Sequence, residues 1–199
     1  LEAYHIHDRH LSTFTLADCR FGYRESVFKN VEKDRWIITS VTLKLTKRPV
    51  FQIQYGAISE ELEKIQSDRL TIKDVAQAVI NIRSSKLPNP ALLGNAGSFF
   101  KNPVVAASTC DAIRRDHPNM PAYPVDKEHV KLAAGWLIEQ AGWKGKRMGK
   151  CGVHDRQALV LVNYGGASGD EIYKLSEEVC NDVKNKFGVE LEREVNIIA

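Results

Sequence analysis

The sequence lacks any apolar run long enough to cross a membrane, and its first ten residues contain no apolar core of a signal peptide. Its four cysteines stand far apart without a Cys-x-x-Cys pair, which argues against a zinc ribbon or a redox dithiol. Single, widely spaced cysteines favour a reduced, cytoplasmic protein with small thiols packed inside. The net charge of +3 over 199 residues is too small for wholesale nucleic-acid binding but suits an anionic small ligand. We therefore expect a protein that binds neither nucleic acid nor a membrane. We also expect a monomer, although no feature of the sequence decides the oligomeric state.

Apolar periodicity divides the chain into segments of strand type and segments of helix type. Alternation of apolar and polar residues predicts half-buried strands at 36–47, 51–55 and 189–197, and a short apolar run predicts another at 158–163. Spacings of three and four residues predict helices at 58–65, 71–86, 108–115, 131–141 and 168–187. Segregated strands and helices predict an α+β fold. We place a domain boundary near residue 68, because strands dominate before it and helices after it.

The run from Gly94 to Pro103, which reads GNAGSFFKNP, is the most informative segment of the chain. It places Ser98 after two glycines that remove side-chain bulk and before two aromatic residues that can exclude water. Glycine lets the backbone approach a ligand closely, so a serine held there can give or take a proton. A glycine-rich turn that enters a buried strand is the alternative, and composition alone favours it.

Two weaker signals lie near the two ends of the chain. His5, His7 and His10 have spacings that metal ligands use, but no carboxylate or cysteine cluster completes a shell, so we expect surface histidines and no metal site. Glycines at 165, 166 and 169 separate a predicted strand from a predicted helix. Tyr164 stands where the dinucleotide fingerprint needs its first glycine, and an ordinary turn is therefore expected.

Two charged residues stand in contexts that allow either a structural or a functional role. Arg24 follows a glycine and two aromatic residues, where a half-buried guanidinium needs an anionic partner. A structural salt bridge explains that context as well as a ligand does. Glu194 lies on the polar face of the last predicted strand and alone indicates a solvated side chain.

Six blocks follow one another along almost the whole chain: CRFGYRES at 19–26, KLPNP at 86–90, GNAGSFFKNP at 94–103, KLAAGWLIEQ at 131–140, VHDRQALVLVN at 153–163 and EREV at 192–195. In this order they resemble one family, the UDP-N-acetylenolpyruvoylglucosamine reductases, also called MurB. Chance agreement at all six blocks is implausible. At Asn196 the chain departs from the family, which commonly has an arginine there.

The resemblance implies an enzyme that uses NADPH and FAD to reduce UDP-N-acetylglucosamine enolpyruvate to UDP-N-acetylmuramate during peptidoglycan precursor synthesis. Residues 1–68 would be the end of an α+β flavin-binding domain, and residues 69–199 the α+β domain that binds the UDP-sugar. No glycine-rich FAD loop precedes the matching region, so we expect most of the FAD site to lie outside this chain and the chain alone to be inactive. A catalytically silent nucleotide-sugar-binding module is the alternative.

The resemblance also implies roles for single residues. Arg24 would stabilise the negative charge that builds on the enolate carboxylate, and Glu194 would act with it. Ser98 would donate the proton that quenches the carbanion. Substrate binding would fall to Tyr23, Tyr55, Lys86, Asn102, Tyr123, Lys131 and Gln157.

The substrate-binding residues divide by the part of the ligand that they suit. Lys86 and Asn102 suit the uracil and ribose through hydrogen bonds. Four others suit the diphosphate, with an ammonium supplying point charge: Tyr55, Tyr123, Lys131 and Gln157. The loop that carries Tyr123 has prolines at every third position and resembles the family's substrate lid, which would exclude water.

Overall fold

The computed structural model describes residues 1–54, 57–65 and 70–198. It divides into two compact units, Leu1–Val50 and Phe51–Ala199. The boundary predicted near residue 68 falls outside the described residues, and the assignment of domains to flavin and substrate stays a prediction. Within the described part, no helix is both long and apolar enough to span a bilayer.

The first unit is built on a small antiparallel sheet. Strands β1 (Glu2–His5), β2 (Leu11–Thr13) and β3 (Trp36–Ser40) are ordered β2-β1-β3. Helix α1 (Leu16–Cys19) begins at a capping box, in which Thr15 and Asp18 satisfy each other's backbone N–H groups. A 3₁₀ turn at Val27–Lys29 follows. The rings of Phe14, Phe28 and Trp36 meet edge to face, at centroid distances of 4.9 and 5.0 Å.

The strand predicted at 36–47 is correct only as far as Ser40, and none forms at 51–54. Val41, Leu43 and Leu45 are 62 to 82% exposed. The register explains where β3 ends, since Ser40 pairs with Glu2, the first residue of β1. An alternating pattern shows which face of a strand would be buried, but a strand also needs a partner along its length. Tyr55 lies outside the described residues.

The helices of the second unit follow the predicted pattern closely. They are α2 (Ile58–Lys64), α3 (Ile72–Lys86), α4 (Ala107–Asp116), α5 (Ala134–Gln140) and α6 (Gly169–Phe187). Thr71 caps the start of α3: its hydroxyl accepts from the Asp74 N–H, and its own N–H donates to the Asp74 carboxylate at 2.7 Å. Gly188 ends α6 with φ of 67°, a left-handed conformation that favours glycine.

Two antiparallel sheets complete the second unit and confirm the α+β class. The first contains β4 (Gly94–Ser98), β8 (Arg147–Met148), β9 (Cys151–Val153) and β10 (Val160–Asn163), in the order β4-β10-β9-β8. The second contains β5 (Val104–Ala106), β6 (Ala122–Pro124) and β7 (His129–Leu132), in the order β5-β7-β6. Helix α6 buries its apolar face, including Leu175, Val179 and Val183, in one core with α5 and the first sheet.

Two predicted elements of the second unit are wrong in part. The helix predicted at 131–141 begins only at Ala134, because Lys131 and Leu132 belong to β7, which is paired on both edges. The strand predicted at 189–197 does not form. Val189 and Leu191 are buried as expected, but pairing of this segment is limited to a bridge between Phe100 and Arg193.

Candidate functional site

Ser98 is the exposed last residue of β4, and a bulge in that strand sets its direction. Ser98 pairs with Val160 and Asn95 with Val162, so two residues of β4 face one residue of β10. Gly97 lies in the bulge with φ of 73° and donates its N–H to the Asn95 side-chain oxygen at 3.0 Å. That conformation favours glycine, which explains the residue before the serine. Phe99 and Phe100 behind it are buried and fix the strand end.

Glu194 reaches the neighbourhood of Ser98 through backbone hydrogen bonds. Its N–H donates to the Phe99 carbonyl at 2.8 Å, and the Lys101 N–H donates to the Glu192 carbonyl at 2.8 Å. We call these contacts between residues 99–101 and 192–194 the terminal bridge. Ser98 directly precedes the terminal bridge, and Glu194, a half-buried residue, lies in it. The Ser98 hydroxyl and the Glu194 carboxylate are therefore carried by adjacent stretches of backbone.

The residues on either side of Glu194 anchor the terminal bridge. Arg193 donates from Nε to the Ser176 hydroxyl at 2.8 Å and lies over the Tyr173 ring at 4.5 Å, both on α6. Glu192 forms an ion pair with Lys101. The position of Glu194 is therefore set by the long helix and by the segment that follows Ser98.

Tyr123 and Lys131 occupy facing positions in the second sheet. The register pairs Lys131 of the central strand with Tyr123 on one side and Val104 on the other. Directly opposed residues of antiparallel strands have Cβ atoms about 5 Å apart on one face. A phenol and an ammonium together suit an anionic group, and Tyr123 is 54% exposed. The sheet thus joins two residues that the resemblance assigned to the diphosphate.

Asn102 and Gln157 both lie at the start of α5. The Asn102 side-chain oxygen accepts the Ala134 N–H at 2.9 Å, which satisfies one of the unpaired donors at this helix end. The Gln157 oxygen lies against Gly135, where an added Cβ would stand 3.4 Å from it. Asn102 therefore has a structural role that the sequence did not indicate. Its amide nitrogen is the atom that suits a ligand carbonyl.

A groove of about 710 Å³ extends from Gly97, beside Ser98, to the end of α3. Arg83 and Arg156 line it, and Arg156 also donates to the Ser85 carbonyl at 2.9 Å. Lys86 is exposed in the last helical turn next to this groove. Sequence reasoning missed both arginines, although each stands within four residues of a residue that it did select.

Arg24 and Tyr23 form the tip of a tight turn in the first unit. Gly22 and Glu25 exchange backbone hydrogen bonds of 2.9 and 3.3 Å around them, and the Asn30 amide donates to the Glu25 carboxylate at 2.7 Å. Arg24 has φ of 57°, a conformation unusual for a side chain of its size. Its side chain is exposed, so the half-buried environment expected from sequence is wrong. Strained residues of this kind cluster at functional sites.

The loop after β10 gives no phosphate cradle. The Asn163 side chain accepts the N–H groups of Gly165 and Ala167 at 2.9 and 3.1 Å, and the Lys150 ammonium donates to the Gly166 carbonyl. Since the N–H groups of Gly165 and Ala167 are directed at the Asn163 side chain, they do not point at a bound phosphate. The ordinary turn expected from Tyr164 is what the structure shows.

Burial raises the pKa of two thiols in the second unit, those of Cys151 and Cys180. Cys180 donates weakly to the Leu191 carbonyl at 3.8 Å, under the segment that leads to the terminal bridge. A raised pKa disfavours the thiolate, which is the nucleophilic form, so neither thiol is activated for nucleophilic chemistry.

A sequence model for the family described as UDP-N-acetylenolpyruvoylglucosamine reductase, C-terminal domain, matches residues 89–198. This chain belongs to that reductase family. The matching stretch contains six of the predicted site residues: Ser98, Asn102, Tyr123, Lys131, Gln157 and Glu194.

Two similar proteins also support membership of the reductase family. The UDP-N-acetylenolpyruvoylglucosamine reductase of Flavobacterium johnsoniae is 54% identical over 197 residues, which cover 98% of this chain and 58% of that protein. The reductase of Pseudomonas syringae pv. syringae is 52% identical over 187 residues, covering 94% of this chain and 55% of that protein. The chain thus spans somewhat more than half the length of these relatives.

A solved reductase supports the fold. The crystal structure of UDP-N-acetylenolpyruvylglucosamine reductase (MurB) from Thermus caldophilus matches with a TM-score of 0.55 and 24% sequence identity. The match covers 98% of this chain and 50% of that one. At this identity the likeness concerns the fold alone.

Proposed function

We propose that this chain carries the substrate side of a UDP-N-acetylenolpyruvoylglucosamine reductase. The reaction is the NADPH- and FAD-dependent reduction of UDP-N-acetylglucosamine enolpyruvate to UDP-N-acetylmuramate, a cytoplasmic step of peptidoglycan precursor synthesis that serves cell-wall growth and division. The terminal bridge is the observation that carries the proposal, because it brings the Glu194 segment against the end of the Ser98 strand. Family membership supports the choice of reaction.

Within this proposal, Ser98 and Glu194 act on the enolpyruvyl group. Reduced flavin supplies the hydride when it is bound. Ser98 donates its hydroxyl proton to the neighbouring carbon, and an exposed hydroxyl at a fixed strand end is suited to this task. Glu194 orients the enol from the terminal bridge. Arg24 stabilises the developing carboxylate charge, a role that stays a prediction from the resemblance.

The nucleotide-sugar is bound by the second unit in this proposal. Tyr123 and Lys131 face each other in the second sheet and take the diphosphate. Gln157 and Asn102 contribute from the start of α5, and Lys86 from the end of α3. Tyr23 and Tyr55 keep the binding roles that the resemblance implies. The flavin site is proposed to lie mostly outside this chain.

Steady-state kinetics in a polypeptide of the relatives' full length tests the proposal. Substrate-dependent NADPH oxidation should occur, and Ser98→Ala should lower kcat strongly with little change in KM, because the serine acts in the transition state. Ser108→Ala is the matched control, since Ser108 is an exposed serine on α4. Equal kcat in Ser98→Ala and wild type would refute the role of Ser98.

A thermal-shift measurement separates an enzyme from a silent binding module. UDP-N-acetylglucosamine should raise the melting temperature of the protein, and Lys131→Ala should reduce that shift because it removes the charge facing Tyr123. Ligand binding without NADPH oxidation in the full-length polypeptide would identify a binding module instead of a reductase.

A further inference from the structure

We propose that the loop between β1 and β2 is a binding site for a borderline divalent transition metal, held by His5, Asp8 and His10. Each of these side chains offers one ligand atom, and the three atoms all lie within 4.8 Å of one another. Two imidazoles and one carboxylate form a donor set that such metals use in proteins. The proposal is independent of the reductase function, because it involves no residue of that site.

The backbone fixes both histidines at the base of the loop. The His5 N–H donates to the His10 carbonyl at 2.8 Å, so the two residues face each other where the strands leave the sheet. The Arg9 N–H donates to the His5 carbonyl at 3.0 Å, and Arg9 has φ of 55°. This left-handed residue turns the chain after Asp8 and leads it to His10. The Asp8 N–H donates to His5 Nδ1 at 3.0 Å, which holds Asp8 against His5. Sequence spacing alone does not show that contact, which is why no carboxylate was expected here.

The His5 ring is also held in place by its neighbours. Its side chain is 11% exposed and meets the Trp36 ring edge to face at 4.5 Å. The His10 ring stacks on it at 5.4 Å with an angle of 29° between planes. His5 Nδ1 also lies 3.0 Å from the Asp8 carboxylate, and a metal at this nitrogen replaces the hydrogen bond that it accepts from the Asp8 N–H. The two imidazole rings are therefore largely preorganised, which lowers the entropy cost of binding.

Small side-chain movements complete the coordination geometry. Ligand atoms of a tetrahedral zinc site lie about 3.4 Å apart, given metal–nitrogen distances near 2.1 Å. The three ligand atoms now lie within 4.8 Å of one another, so reaching the zinc geometry needs movements of roughly 1 Å. The Asp8 side chain is 70% exposed and can move. Three protein ligands leave the fourth position to water. The hard cations Mg²⁺ and Ca²⁺ prefer oxygen ligands alone and are not expected to compete.

Isothermal titration of the chelator-treated protein with ZnCl₂ tests the site. We expect one equivalent of zinc to bind, and Asp8→Asn and His10→Gln each to weaken binding at least about 10-fold. His7→Gln should bind as the wild type does, because His7 lies outside the group. His129→Gln should do the same and controls for the exposed His129–Asp126 pair. Wild-type affinity in Asp8→Asn and His10→Gln, or no zinc binding by the wild type, would overturn the proposal.

Histidine NMR of the wild-type protein gives a readout that does not depend on how the variants fold. Ring resonances of His5 and His10 should shift on addition of zinc, while those of His129 stay in place. Zinc should also raise the melting temperature of the wild type. Shifts that spread equally over all histidines would show non-specific binding and refute the site.

Discussion

Asn102 links the fold to the site through one hydrogen bond, and removing that bond should have a measurable cost. Its side-chain oxygen accepts the Ala134 N–H at the start of α5, the helix that follows Lys131 along the chain. Loss of a side-chain cap costs about 1 kcal/mol, and a donor left without a partner at a half-buried site adds to it. For Asn102→Ala we therefore expect a loss of about 1–2 kcal/mol.

Urea denaturation of the variant, compared with wild type, measures this loss. A change of 1 kcal/mol corresponds to a melting shift of about 2–4 °C at this chain length. Asn119→Ala is the control, since Asn119 is exposed. Asn102→Asp separates structure from binding, because aspartate keeps the acceptor and suits a helix start but lacks the amide donor. It should retain stability and weaken nucleotide-sugar binding.

Two results would refute this reasoning about Asn102. Wild-type stability in Asn102→Ala would show that the hydrogen bond to Ala134 contributes nothing to the fold. Wild-type ligand affinity in Asn102→Asp would show that the amide nitrogen does not contact the nucleotide-sugar.

Three further predictions concern the second unit. Gly152→Ala should destabilise the protein by about 1–3 kcal/mol in urea unfolding, because its Cβ would stand 2.7 Å from the Lys146 carbonyl oxygen. Leu175→Ala, at a side chain with no exposed surface, should cost about 2–5 kcal/mol by the same assay. Hydrogen bonding to the Ser168 backbone lowers the pKa of Glu171, so its contribution is present above the ordinary value of 4.5 and is lost as pH falls through the lowered pKa. Glu171→Gln should therefore be less stable than wild type at pH 7, with a gap that closes in acid; a gap independent of pH would contradict this.

Local signals predicted the helices of this protein well. The limits of α6 follow from its capping serine, its apolar spacing and Gly188, all of which act within a few residues of the helix ends. Strands, which depend on pairing with distant segments of the chain, were predicted poorly. Val41 and Leu43 alternate with polar residues, yet β3 ends at Ser40 with its partner strand. Lys131 has helical spacing, but pairing on both sides of β7 prevails.

The candidate site shows the same division between local and long-range information. The sequence marked the glycine before Ser98 as a place where the backbone can approach a ligand. The bulge that gives Gly97 its positive φ depends on pairing with β10 and was not predicted. The approach of Glu194 is a contact between distant segments, and only the family resemblance indicated it. The Asn102 cap and the position of Asp8 depend on backbone turns that no residue pattern shows.

Rapid kinetics of the two halves of turnover tests the central claim, that Ser98 supplies the proton. In a polypeptide of the relatives' full length, oxidation of NADPH and reduction of the enolpyruvyl substrate are measured separately for wild type and Ser98→Ala. We expect an unchanged rate of NADPH oxidation and a rate of substrate reduction lowered by about 100-fold or more. Substrate reduction at the wild-type rate in Ser98→Ala would contradict the account.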